Sequence, residues 1–314
     1  MVNEYLKNNS IIVFPGQGSQ TKGMCKDFYE RFDIVKDLFN RAKNASIYNK
    51  DYAELCFEAD DTELQKTVNT QPALYIANSV IFAVLKTAGL KPLAAAGHSL
   101  GEYCALFAAE VFDFETGLQL IEKRALYMDD CAKNSAGTMA AIMGIDETRL
   151  LDLCKQVGGI INFAGYNSPG QIVISGEVAA IKNLINKIKS ENLGKAIELK
   201  VSGAWHSELM RAAQQKLAIE LEKIDFRTPK FPIISNLSAQ SESIPAKLKD
   251  LLIRQLCEPV RWTQSINTAN ELFNPKAYIE SGPGKVLTGL IKRIVPEVQL
   301  FNINSVESYE QFLL

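Results

Sequence analysis

The sequence predicts an α/β protein in which a small βαββαβ unit is inserted into a larger domain of alternating strands and helices. Two patterns carry this. Short apolar runs closed by Gly or Pro alternate with helical stripes over most of the chain, and between residues 137 and 202 the order changes to strand, helix, strand, turn, strand, helix, strand. Residues 1–132 and 204–314 then form the large domain and 133–203 the small, ferredoxin-like one.

The first strand is "IIVF", Ile11 to Phe14, stopped by Pro15 and Gly16. From Pro72 the residues Ala77, Val80, Ile81, Val84, Leu85 and Ala88 recur at three and four, a helical stripe that Gly89 ends. A short apolar stretch then leads into Gly97-x-Ser99-x-Gly101 and a helix from Gly101. The small unit reads as strand 138–143, helix from Asp146, strand 160–164, the turn "YNSPGQ", strand 172–175, helix from Glu177 and strand 196–201. Beyond it come a helix from Ser207, a strand at 232–235, helices near Leu248 and Ser265, the strand "AYIE" and a last helix opened by "SGPGK".

Composition narrows the function classes. In 314 residues, 47% hydrophobic and 22% charged with a net charge of −2, there is no basic excess to hold nucleic acid. A polar N-terminal stretch and the lack of an apolar run of about 18 residues predict a cytoplasmic chain without a membrane span. Six scattered cysteines without a C-x-x-C pair argue against a disulfide framework and against a zinc site, so neither metal nor cofactor is expected.

G-x-S-x-G between a strand and a helix is the pattern of a nucleophile elbow, where glycines let the backbone turn sharply and leave the serine Oγ exposed. A glycine-bracketed helix N-cap serine has the same pattern. A serine hydroxyl needs a base, and the chain has two histidines, His98 and His206. His98, adjacent to Ser99 on the same turn, points elsewhere and reads as a packing or turn-stabilising residue. His206 follows a strand and precedes Ser207, a good helix N-cap, at the sheet end where α/β folds place their sites.

In "FETGLQLIEKRALYMDDC", Arg124 shares a helical face with Gly117, Ile121, Ala125 and Met128, and no acid stands three or four residues away. Either a distant carboxylate pairs with it, its stem snorkels to water, or it awaits an anionic ligand.

Taken together, "FPGQGSQ", "NTQPAL", "GHSLGEYCAL", "EKR", "GTMAAI", "YNSPGQIVISG", "HSELM" and "GPGKVLTGLIKR" resemble, in order, the blocks of the malonyl-CoA:acyl carrier protein transacylase family. The resemblance implies a hydrolase-like large domain with an inserted ferredoxin-like domain. It implies a ping-pong transfer of malonyl from malonyl-CoA to the phosphopantetheine thiol of an acyl carrier protein. By matching blocks, Ser99 would be the acylated nucleophile, His206 its base, and the N–H groups of Gln17 and Leu100 the oxyanion hole. The main-chain carbonyl of Gln255 would orient the imidazole, Arg124 would grip the malonyl carboxylate, and Gln71 and Asn167 would lie at the substrate.

The family's "AFH" before the base reads Ala204-Trp205-His206 here, a larger ring expected to exclude an α-methyl branch. "GEYCALFAAEVFDFETGLQLIEKR" is most similar to the discrete acyltransferases that serve polyketide synthases in trans; the housekeeping fatty-acid enzyme is the alternative, and a proofreading acyl hydrolase or a non-catalytic carrier-protein adaptor are further rivals. Lys182, Lys187, Lys189, Lys292 and Arg293 are candidates for a basic patch facing an acidic carrier protein, or simply solvated charges.

Overall fold

A computed structural model describes residues 4–314. Ten strands make two sheets: β1 (Ser10–Phe14), β2 (Ala94–Gly97), β7 (Ile233–Ile234), β8 (Ser241–Glu242), β9 (Ala277–Ser281) and β10 (Gln299–Ile303) in one, and β3 (Gly137–Met143), β4 (Ile161–Ser168), β5 (Gln171–Glu177) and β6 (Lys195–Glu198) in the other. The larger sheet runs β10-β9-β1-β2-β7-β8, parallel except for β8.

β1 is central and every residue in it is buried. Ile12 and Phe14 face one hydrophobic cluster and Ile11 and Val13 the other. An unbroken apolar run is what a strand covered on both faces requires.

The helix Thr67–Thr87 is buried on nearly all sides and packs on the helix Phe114–Asn134, where a Cβ at Gly117 would fall 2.1 Å from the Tyr75 hydroxyl. This helix starts at Thr67, earlier than the Pro72 that the sequence suggests. Pro72 lies inside it, and its missing N–H leaves the Val68 carbonyl without the usual partner; Lys50 Nζ donates to that oxygen at 3.2 Å. By length and composition the helix would span a membrane, yet it is a core helix here. All six cysteines are buried and unpaired.

The second sheet interrupts the first in the chain, between β2 and β7. It is antiparallel throughout in the order β4-β5-β3-β6, with the helices Glu147–Val157 and Val178–Ser190 packed on it, the ferredoxin-like arrangement. Two details differ from the sequence expectation. β6 ends at Glu198 rather than at 201, because Val201 N–H turns back onto Leu199 O at 3.0 Å and the chain leaves the sheet. β4 runs on to Ser168, with irregularities around Phe163 to Ser168, so that only Pro169 and Gly170, φ +74°, make the turn. The irregular stretch bonds to the other domain: Tyr166 N–H donates to Val260 O and Val260 N–H to Ala164 O, both at 2.9 Å. Asn167 is thereby carried into the gap between the sheets.

Candidate active site

Ser99 sits between β2 and the helix Gly101–Ala108, with φ +54°, a conformation rare for a residue bearing a Cβ. The turn is tight because Gly97 and Gly101, two residues to either side, lack side chains. A Cβ on Gly97 would fall 1.9 Å from the Gly101 backbone, and one on Gly101 would fall 2.1 Å from Phe14 O. Asn236 braces the turn: its Oδ1 accepts from Ser99 N–H at 2.7 Å, and its Nδ2 donates to Gly97 O at 2.5 Å.

His206 is buried, and its φ of +58° makes it a second left-handed residue. Its Nε2 lies 2.8 Å from Ser99 Oγ. Its Nδ1 lies 2.9 Å from Gln255 O and 3.0 Å from Glu258 O. Carbonyls only accept, so Nδ1 carries the proton and Nε2 presents its lone pair to the serine hydroxyl. Burial, then the Arg124 charge, push the imidazole down to about 3, which keeps it neutral at pH 7.

Arg124 is 1% exposed, which rules out snorkelling, and no described carboxylate forms an ion pair with it. It donates through NH1 to Gln71 Oε1, and through NH2 to Ser99 Oγ at 3.0 Å and Gln255 Oε1 at 3.3 Å, while Nε has no partner. The Tyr103 ring lies 5.6 Å from the guanidinium carbon. Neutral groups therefore hold the cation in place without discharging it, which leaves the anion-binding alternative standing.

The remaining positions fall around these three. Gln17, Leu100, Trp205 and Asn167 line a cleft of about 170 Å³ with Ser99, Arg124 and His206. Leu100 N–H belongs to the first turn after the elbow, where no intrahelical acceptor exists, and Gln17 is fixed by Thr67 Oγ1 donating to its Oε1 at 3.2 Å. Asn167 Oδ1 is 3.0 Å from His98 Nε2, and His98 also packs on Trp262 with ring centres 5.6 Å apart. Gln71 is wholly buried and reaches the cleft through Arg124 and through Met128, to whose Sδ its Nε2 donates at 3.4 Å. Trp205 lies against Gly203, where a Cβ would come within 2.7 Å of the indole.

Three contributions escape the sequence. Asn236, in "ISNLS", reads as a turn residue. Glu102 reads as an ordinary helix glutamate but is 3% exposed; it accepts from Gln255 Nε2 at 2.5 Å and from Asn236 N–H at 3.3 Å. Burial raises its carboxyl to about 7. The Gln255 side chain, beyond its carbonyl, also donates to Ser99 O at 3.0 Å. Their partners lie more than a hundred residues away in the chain, and no local pattern marks them.

A hydroxyl bonded to a neutral imidazole and to a buried cation is an arrangement able to activate a serine beside a seat for negative charge. The acyl transferase domain family matches residues 11–307, and the chain belongs to that family. It is 39% identical over 310 residues to the malonyl CoA-acyl carrier protein transacylase of Haemophilus influenzae, covering 96% of this chain and 98% of that one. Its structure matches that of an acyl carrier protein S-malonyltransferase from Vibrio cholerae with TM-score 0.91 at 38% identity, over 96% and 99% of the two chains. A type II PKS acyl-carrier protein in complex with its malonyl-transacylase gives TM-score 0.92 at 38% identity, covering 97% and 99%.

Proposed function

We propose that the protein transfers malonyl from malonyl-CoA to the phosphopantetheine thiol of an acyl carrier protein. The observation that carries this is the buried, undischarged Arg124 guanidinium 3.0 Å from a serine Oγ that is itself 2.8 Å from a neutral imidazole. The names of the relatives point the same way.

Ser99 Oγ attacks the thioester carbon as its proton passes to His206 Nε2. The amides of Gln17 and Leu100 receive the oxyanion, and the imidazolium returns the proton to the departing coenzyme A thiolate. The carrier thiol then reverses these steps on the malonyl-serine ester. Gln255 O and Glu258 O hold the imidazole in the productive tautomer, so no triad acid is required.

A proofreading hydrolase would use the same serine and histidine, but it gains nothing from an inward cation when its substrates are uncharged. Arg124→Ala should shift the preference from malonyl toward acetyl by about 10- to 100-fold, the worth of a charged hydrogen-bonded pair. Equal loss with malonyl- and acetyl-CoA would refute the clamp.

The role within polyketide synthesis rests on the resemblance of residues 101–124 to discrete trans-acting acyltransferases; malonyl transfer itself is the same in fatty-acid synthesis. Transfer rates across polyketide and fatty-acid carrier proteins test it. Of the candidate docking cations, Lys182, Lys189, Lys292 and Arg293 are exposed, Lys187 is paired with Glu191 at 2.6 Å, and Arg293 bonds Gln171 at 3.0 Å.

A further inference from the structure

We infer that Arg124 is a gate on the nucleophile as well as a seat for the substrate: its N–H occupies a lone pair of Ser99 Oγ, and a carboxylate arriving with the acyl group releases that lone pair by taking the guanidinium for itself. The inference rests on the malonyl-transfer reading and adds to it a step that affinity alone does not require.

Hydrogen-bond accounting at Oγ carries it. A serine hydroxyl has one proton and two lone pairs. Because His206 Nδ1 donates to the carbonyls of Gln255 and Glu258, the Oγ proton points to Nε2 at 2.8 Å. Arg124 only donates, so its NH2 at 3.0 Å is directed at one of the two Oγ lone pairs and draws electron density from the oxygen that must form the new bond. The same NH2 is shared with Gln255 Oε1, and Nε has no partner, so the guanidinium has unused capacity toward a better acceptor. A carboxylate is that acceptor.

Charge acts in the same direction. Acylation turns His206 into an imidazolium beside Arg124, two cations in one dry pocket. Burial depresses His206 most, and the further depression by Arg124 is the same repulsion seen at equilibrium. Glu102, the carboxyl nearest in the bracing network, is raised by burial and supplies only a weakened counter-charge. A malonyl carboxylate discharges the guanidinium and lifts the penalty just when the Oγ–C bond forms, the C–S bond breaks, and the proton passes from Oγ through Nε2 to the thiolate. An acetyl thioester brings no such charge, so discrimination appears in the rate of acylation and not only in binding.

The test supplies the missing charge separately. Acetylation of Ser99 by acetyl-CoA is followed by intact mass, with sodium formate added against sodium chloride at equal ionic strength. The expected result is an acceleration of about ten-fold by formate, and acetylation of Arg124→Ala that is faster than in the unaltered protein and insensitive to formate. If formate only inhibits or does nothing, and Arg124→Ala acetylates more slowly while still losing its malonyl preference, the gate is overturned and the clamp survives. The formate experiment on the unaltered protein needs no variant to fold, and the clamp itself is judged by the malonyl-to-acetyl ratio.

Discussion

The two sheets contribute to the cleft in different currencies. From the connections of the six-stranded sheet come Gln17, His98, Ser99, Leu100, Arg124, Met128, Trp205, His206 and Val260, which include the hydroxyl, both imidazoles and the guanidinium of the lining. From the four-stranded sheet and its exit come Met139, Ala164, Gly165, Val173, Leu199 and Val201, all apolar or small, with Asn167 the one polar exception. In the proposed transfer, one region would supply reactivity and the other shape. The bonds between residues 164–166 and Val260 keep the two faces in register.

The largest effects should therefore come from the reactive side. His206→Ala should lower transfer by about 10²- to 10⁴-fold, with the malonyl-serine adduct accumulating correspondingly slowly by intact mass. A fall of less than about ten-fold would mean that another group serves as base and would break the division between the regions.

Next is Asn236→Ala, which strips the brace from the elbow and leaves Ser99 N–H and Gly97 O without their partner. It should cost about 1–3 kcal/mol of stability and reduce kcat more than it raises KM. Denaturant unfolding and steady-state kinetics measure the two effects.

On the shaping side, Val173→Ala should change malonyl transfer only a few-fold while widening tolerance for branched acyl groups. Trp205, an apolar lining group on the six-stranded side, should also act through shape: Trp205→Ala should raise methylmalonyl use relative to malonyl by about ten-fold, the worth of about one methylene of fit. If Val173→Ala proved as damaging as His206→Ala, the lining would have a chemical role.

The smallest effect concerns acid. Because the His206 imidazole is lowered from its ordinary 6.5 to about 3, kcat/KM should change by no more than about two-fold between pH 7.5 and 6, without an acid limb centred near 6.5. The stability linkage has a definite sign. The unfolded chain binds the His206 proton first, so this group's contribution is complete above 6.5 and lost as pH falls from there toward 3. Glu102, raised to about 7 from 4.5, works oppositely: its contribution is complete below 4.5 and lost as pH rises through 7. Where the two windows overlap they offset each other, so pH titration of stability should be flatter than His206 alone dictates.

The contrast between regions also explains what the sequence reveals. Gly97 and Gly101 are legible because steric exclusion at a sharp turn leaves glycine alone, and Arg124 because helical periodicity places a cation where water is absent. His206 follows from the scarcity of histidine. The boundary of β6 is missed because residues 199–201 are as strand-like as those before them, and the bond of Val201 N–H back onto Leu199 O that takes the chain out of the sheet has no local signal. Asn236, Glu102 and the Gln255 side chain form a network visible only in three dimensions.

The imidazole takes its orientation from carbonyls 49 and 52 residues further along the chain, and β1 takes β9, which begins at Ala277, as a neighbour. A chain still emerging from the ribosome thus holds serine, arginine and histidine long before it holds what aligns them. Alignment of the imidazole has to wait for a segment made well after the residues it aligns.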